Sequence, residues 1–486
     1  MTTTSSPAER PASPPAGSAK PADSPSAGLG LPAATALVVG SIIGTGIFLL
    51  PATMARYGTV SLVALLLVTV GALAVASVFG KLSTRIPGSG GPYVYARHGL
   101  GEFPAFLSAW SYYITVLAGD AAISVAWVGY VNYFLHWDSK PGQAALAVVG
   151  VCVPTLVNLA GLQRVGFVQT IVTGAKFLML LFVAVVGLFF LKAANFGPFI
   201  ADGGSWIGAI SSAGAVVLFA YSGVETAAIV ASRVRDPERN VSRAGIYGTL
   251  ACALVYFLST VVIFGTVPHD QLVDSSAPFA DAMVNMFGGA WGGVVSALAV
   301  LSGLGALIGW ATVCAEVPYA VAKDSLFPRV FVKQSRNGAL WAALLISLAL
   351  KVTLILVNYA GAADVFETVV LLTTLTTAIP FLLGTSVQLF WLIAKGRKTS
   401  RTFVRDLVVA VFAVAFSFWL IYGSGRDAVF SGTLMVFAGV VVYVWVKGRR
   451  GEYGARPEAV PEAASVPVEP AAPDPVRPAA PDADAG

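Results

Sequence analysis

Between about residue 31 and residue 447 the chain is a series of long apolar blocks separated by short polar joints. A block such as Phe177–Leu191 with its flanks has the ~20-residue length that an α-helix needs to cross a bilayer. Counting by that length gives about twelve spans, at roughly 32–55, 60–84, 103–135, 143–160, 166–192, 208–231, 242–267, 286–321, 338–359, 363–394, 406–424 and 428–447. The third, eighth and tenth are long for one bilayer, so tilt or ends projecting into water are expected. The pattern predicts an all-α membrane protein.

The joints and tails orient it. Residues 1–30 are rich in Ser, Pro, Ala and Gly, with no charged segment ahead of an apolar core, and read as a disordered tail rather than a signal peptide. Residues 448–486 are rich in Pro, Ala and acids and read the same way. One set of joints carries Lys81, Arg85 and Arg97; Arg233, Arg235, Arg239 and Arg243; Lys323, Arg329, Lys333 and Arg336; Lys395, Arg397, Lys398 and Arg401; and Lys447, Arg449 and Arg450. The alternate set is poor in bases and includes Asp270, Asp274 and Asp281. The positive-inside rule therefore predicts a multi-pass protein of the inner (plasma) membrane with both termini in the cytoplasm.

Composition agrees with lipid as the solvent. Of 486 residues 56% are hydrophobic and 11% charged, with mean hydropathy +0.78; soluble domains run at roughly 25% charged. The net charge of +5 sits in short joints and is no nucleic-acid signature. Cys152, Cys252 and Cys314 are isolated in apolar stretches, with no CxxC pair or metal spacing, and read as small core residues. His98, His136 and His269 are isolated too, and no Ser/His/Asp arrangement stands out. The chain is thus not expected to be an enzyme or to need a metal or cofactor. With no GxxxxGK[ST] phosphate loop, it is not an ATP-driven pump on a single chain.

Two spans are interrupted. The first reads Gly40-Ser41-Ile42-Ile43-Gly44-Thr45-Gly46-Ile47-Phe48, with two glycines flanking a threonine at mid-membrane depth, where they form helix poorly. The sixth reads Ala220-Tyr221-Ser222-Gly223-Val224-Glu225-Thr226. Non-helical backbone is tolerated at this depth only where it lines a cavity or is buried in protein. Paired interruptions in corresponding halves point to a binding site, with spans one to five and six to ten as inverted repeats. A half-helix starting at Thr45–Ile47 offers free N–H groups and a positive dipole end to a carboxylate. Freed carbonyls near Ile42 and Ser222 can accept from an ammonium group. Alone, the glycines would also read as close-packing points.

With these breaks the chain resembles the amino acid–polyamine–organocation superfamily. The likeness rests on Gly44-Thr45-Gly46-Ile47-Phe48 through Pro51; Pro87-Gly88-Ser89-Gly90-Gly91-Pro92-Tyr93; Ser222-Gly223-Val224-Glu225; Arg235-Asp236-Pro237-Glu238-Arg239-Asn240; Ala277-Pro278-Phe279; and Gly309-Trp310 leading to Asp324-Ser325-Leu326-Phe327-Pro328. It runs from about residue 30 to 447 and is closest to basic amino acid and polyamine antiporters of the arginine/agmatine type. It implies a LeuT-like 5+5 inverted repeat with helices one and six broken, two further helices, and a homodimer. Residues 31–447 would then be a transporter domain for a small amino acid or amine. By the same resemblance Trp310 is a pocket tryptophan whose face can stack on a guanidinium or ammonium. Phe219 stands where those antiporters close a tryptophan over the substrate, beside Ala220. Ser41, Thr115 and Thr373 replace an asparagine, an alanine and a serine, and Thr377 retains a threonine, so the pocket is related to the arginine one without matching it. Tyr93 and Tyr112 match tyrosines near the gates.

Ionisable residues at bilayer depth cost ~2.5–3.5 kcal/mol on insertion scales, so each is a candidate for function. Glu225 is either a hydrogen-bond anchor for the broken helix or a protonatable gate. Asp120, mid-way along the third span, would favour a cationic substrate, unless it pairs with another internal charge. Lys176, about ten residues into the fifth span, is the candidate partner. Proton-coupled permeases of the superfamily carry a lysine there, so it would load and release a proton; the alternative is a fixed counter-ion for the first helix. Lys351 reads as lying nearer the external end, able to snorkel, and is given no role. The expected activity is secondary active transport of cationic amino acids or their amines, by exchange or proton coupling. The alternatives are a proton-coupled permease for neutral amino acids and, from another class, a non-transporting amino acid sensor.

Overall fold

A computed structural model describes residues 29–86, 91–137, 139–160, 165–201, 203–229, 231, 234–361, 364–394 and 401–451, with side chains for all of these except Thr45 and 165–173. Residues 1–28 and 452–486 of the tails expected over 1–30 and 448–486, the Pro87–Gly90 part of the motif after the second span, and Arg233, Lys395, Arg397 and Lys398 lie outside the described residues.

The described residues fold into helices without a named strand. In chain order they are α1 (Leu31–Ile42), α2 (Leu50–Ala55), α3 (Val60–Arg85), α4 (Pro92–Leu100), α5 (Glu102–Leu135), α6 (Lys140–Leu159), α7 (Val165–Val186), α8 (Trp206–Leu218), α9 (Thr226–Ile229), α10 (Pro237–Thr266), α11 (His269–Val273), α12 (Pro278–Phe287), α13 (Gly289–Lys323), α14 (Trp341–Gly361), α15 (Val365–Ala394), α16 (Arg401–Gly423) and α17 (Gly425–Gly448). Among them α3, α5, α6, α10 and α13–α17 are nine helices long and apolar enough to cross a membrane. Three shorter apolar helices, Leu31–Ile42, Gly174–Phe190 and Trp206–Tyr221, fall where the first, fifth and sixth spans are expected.

Local sequence sets the ends. Asp236 adopts φ 49°, Pro237 follows at the first helical position, and Glu238 faces the positive end of α10. α5 and α13, 34 and 35 residues long, each start after a glycine at positive φ, Gly101 and Gly288. At 1.5 Å per residue both run about 50 Å, beyond the ~30 Å hydrocarbon thickness. α5 is the centre of the molecule: 89% of its apolar window is buried, against 17% for α17 at the rim. It packs on α13, α15, α6 and α4, while α1 packs on α10.

The bases gather at one pole. Lys81 at the end of α3 pairs with Asp406 at the start of α16, and Arg85 donates to Gln388 of α15 at 2.9 Å. Lys447 at the end of α17 pairs with Glu102 at the start of α5, and Arg97 of α4 approaches Asp324 beyond α13 at 3.6 Å. At the opposite pole Arg56, after α2, pairs with Asp364 and reaches Glu367 at 3.4 Å, and Tyr57 donates to Glu367. This second cluster joins the end of the first span to the start of α15.

Candidate functional site

Both expected interruptions are present, and they touch. α1 stops at Ile42; Ile43 (φ −75°, ψ 82°) forms an inverse γ-turn, Gly44 (φ −86°, ψ 176°) is extended, a 3₁₀ turn spans Thr45–Phe48, and α2 resumes with Pro51 in its first turn. α8 stops at Leu218, a 3₁₀ turn covers Phe219–Tyr221, Ser222 is extended (ψ 126°), and Gly223 takes φ 108°. A Cβ on Gly223 would fall 2.8 Å from the Ser41 carbonyl oxygen. A side chain there would be strained by its φ and blocked by the opposite backbone, so the glycine is what lets the two breaks meet. Gly46 is similarly filled by the Phe219 ring, whereas a Cβ on Gly44 would meet only Ile123 at 3.8 Å.

The freed backbone groups have definite partners. The Ile42 carbonyl accepts from the Tyr256 hydroxyl at 2.9 Å and the Gly44 N–H at 2.8 Å, so it is not free for a substrate ammonium as the sequence suggested. The neighbouring Ile43 carbonyl accepts from Lys176 Nζ at 3.1 Å. Lys176 is buried, and no carboxylate lies within 4.0 Å of its ammonium among the described residues. At the sixth-span break, Glu225 accepts from Tyr112 Oη at 2.9 Å through Oε1 and from the Gly223 N–H at 3.3 Å through Oε2. That is the anchor geometry: it ties α5 to the second break.

α5 supplies the wall. Tyr112, Thr115, Gly119 and Ile123 recur at helical spacing and face inward together. Thr115 Oγ1 lies 2.9 Å from Thr376 Oγ1 and 3.4 Å from Thr377 Oγ1; Thr377 also donates to the Thr373 carbonyl at 2.7 Å. A methyl built on Gly119 would sit 3.8 Å from Thr373 and 3.9 Å from both Phe219 and Trp310. Gly119 thus marks where α5, α8, α13 and α15 converge, and Phe219 stacks edge-on against Phe366 there. Gly119 lies one turn from Thr115 on the same face of α5, and having no side chain it offers no chemistry for the sequence to show.

A cavity of about 1780 Å³ reaches this convergence from the basic pole, with Leu29, Pro32, Tyr319 and Gln334 at its mouth and Ser41, Gly44, Lys176 and Trp310 along its course. Tyr93, Tyr112 and Gly223 line it as well. Thr115, Phe219, Ala220, Thr373 and Thr377 lie buried beyond it, and the Arg56 cluster closes the opposite pole. Tyr93, on α4 near the mouth, donates to Asp324 at 2.8 Å; burial and that carboxylate push its phenol up and keep it protonated. The protein is therefore open at the basic pole and shut at the other.

Two expectations change. Asp120 neither faces the cavity nor meets Lys176: its Oδ2 lies 2.5 Å from Nζ of Lys351, and both residues are 1% exposed. Lys351 is the middle residue of α14 and cannot snorkel, because the helix runs on to Gly361, about three turns past it. The sequence-based span placed it too near an end. Asp120 and Lys351 each lie near the centre of a continuous helix, and it is the rotation of those helices that brings them together.

The comparisons with known proteins follow the same lines. The profile of the amino acid permease family matches residues 29–446. The chain is 30% identical over 427 residues to the putrescine transporter PotE of Escherichia coli, covering 87% of this chain and 96% of that one. It is 31% identical over 450 residues to the arginine/ornithine antiporter of Pseudomonas aeruginosa (87% and 92%) and 27% identical over 448 residues to the arginine/agmatine antiporter of Chlamydia felis (87% and 90%).

Proposed function

The chain belongs to the amino acid permease family, and from that premise we propose that it is a secondary active transporter exchanging cationic amino acids or their amines through the paired helix breaks. It is a membrane transporter and not an enzyme. The observation that carries the reading is the meeting of the two interrupted helices, Gly223 on Ser41, at the inner end of a cavity open to one pole. Relatives named for putrescine, ornithine, arginine and agmatine support a cationic substrate over a neutral one, and over a non-transporting sensor.

The α-carboxylate of an amino acid lies against the N–H groups that open the turn at Thr45–Ile47, where the partial positive charge favours an anion. Trp310 presents its face to the guanidinium or ammonium. Thr115, Thr373 and Thr377 bound the side-chain end, with Phe219 and Ala220 as the lid toward the closed pole. Ser41, Ile42 and Ser222 frame the breaks. Lys176 is the candidate proton carrier, since it bonds the unwound backbone that substrate would also use; Glu225 and Tyr112 transmit occupancy from α5 to the second break. The finer architecture belongs to the same proposal. It has twelve spans, a LeuT-like 5+5 inverted repeat and a homodimer in the plasma membrane, with the basic pole and both termini facing the cytoplasm.

Counterflow into proteoliposomes tests the function. Vesicles loaded with unlabelled arginine or putrescine should accumulate labelled arginine, ornithine or putrescine and ignore labelled alanine. Accumulation of labelled alanine by alanine-loaded vesicles, with none of labelled arginine or putrescine by vesicles loaded with those, would select the neutral-substrate reading, and binding without any counterflow would select the sensor.

A further inference from the structure

The Asp120–Lys351 pair is unused by the transport reading. It is the only ion pair among the described residues with both partners about 1% exposed. It belongs to a polar spine joining three helices. One turn before Lys351, Ser347 Oγ lies 2.8 Å from Tyr113 Oη of α5 and donates to the Cys314 carbonyl of α13 at 2.9 Å. Cys314 Sγ in turn approaches the Val116 carbonyl of α5 at 3.5 Å. α14 therefore grips α5 at Tyr113 and Asp120 and α13 at Cys314. These grips adjoin the pocket: Gly119 precedes Asp120, and Trp310 lies one turn before Cys314. The residues that face each other across the site are carried on helices whose outer sides are fastened to the same third helix.

We propose that Asp120 and Lys351 are a positioning pair for the substrate pocket: a self-neutralised clamp that fixes the rotation of α5, and with it the aim of Thr115 and Gly119 toward Trp310 and Thr373. Successive residues of an α-helix point about 100° apart, so a turn of α5 that freed Asp120 from Lys351 would swing Gly119 off the pocket by the same angle. The aspartate contributes no charge selection, because its charge is compensated by an ammonium on a flank of α5, about 100° round from Gly119 and outside the cavity lining. Losing one partner strands a buried charge, whereas replacing both by neutral groups that still hydrogen-bond does not. The carboxylate oxygen Oδ1 has no hydrogen-bond partner among the described residues, so the pairing with Lys351 is what holds this side chain.

The proposal rests on the transport reading, and its test separates the two. Asp120→Asn, Lys351→Gln and the double variant are purified in detergent, and equilibrium binding of arginine, putrescine and alanine is measured beside thermal unfolding. Each single variant should weaken every ligand that the wild type binds by a common factor of tenfold or more, leaving their ratios unchanged, and the double variant should recover most of that loss. A selective loss of arginine and putrescine in Asp120→Asn, or in the double variant should the single ones not fold, would overturn the proposal in favour of charge selection. Wild-type affinities throughout would overturn it as well. If the wild type binds none of the three, the transport reading fails, and the clamp is judged by unfolding alone: lowered midpoints in the single variants with recovery in the double one uphold it, and additive losses overturn it.

Discussion

Two lysines lie buried at mid-helix depth, and their surroundings separate the moving part of the molecule from the fixed part. Lys351 sits between continuous helices with Asp120 2.5 Å away. Lys176 bonds a main-chain carbonyl released by the break in the first span and lines the cavity. A charge paired inside packed helices is a fastener. A charge that leans on unwound backbone beside a cavity changes its surroundings whenever that backbone moves, and a ligand or proton shifts an equilibrium only by its different affinity for the two states.

The largest effect should come from breaking the fastener. Lys351→Met strands the Asp120 carboxylate and should lower stability by about 3–5 kcal/mol, read as thermal unfolding in detergent. Lys176→Met strands no carboxylate and should cost less than half as much. Equal losses would erase the distinction between the two lysines. Next come the breaks themselves. Gly223→Ala places a Cβ against the Ser41 carbonyl at φ 108°, a strain of about 1–3 kcal/mol, and should abolish counterflow in a protein that still inserts. Gly44→Ala, with 3.8 Å of room and an ordinary φ, should keep most of it. If the two glycines prove equally sensitive, the contact between the breaks is not what matters.

Lys176→Ala should remove accumulation driven by an imposed pH gradient while sparing some exchange, because the broken backbone remains. A variant that follows the gradient fully would make Lys176 a fixed counter-ion. The smallest effect is at Trp310. Trp310→Leu should weaken binding of a cationic substrate by about 0.5–2 kcal/mol, and Trp310→Phe by less. Negligible losses in both would reduce Trp310 to packing.

Much of this was legible in the sequence because lipid leaves few alternatives. Long apolar blocks read as helices, and glycines grouped around Thr45 and after Ser222, taken as a pair in corresponding halves, read as breaks that something covers. The convergence on Trp310, Phe219 and Thr373 followed from resemblance rather than from spacing. What the sequence could not carry was partnership. Nothing local distinguishes Lys176 from Lys351 as Asp120's partner, since pairing depends on how helices far apart in the chain are rotated. Nor could the sequence assign the Ile42 carbonyl to Tyr256 of α10, 214 residues away. Gly119 was hidden for a different reason: a residue that contributes only space has no chemistry to read.

The central claim is that substrate sits where the two breaks meet. It is tested most directly by Ser41→Cys in a Cys152→Ala background, the other cysteines being buried. A membrane-impermeant thiol reagent reaching the basic pole should label Cys-substituted position 41 through the cavity. Saturating arginine or putrescine should slow that labelling, while alanine leaves it unchanged. Labelling at a rate that no transported substrate alters, in a preparation that still performs counterflow, would contradict the account.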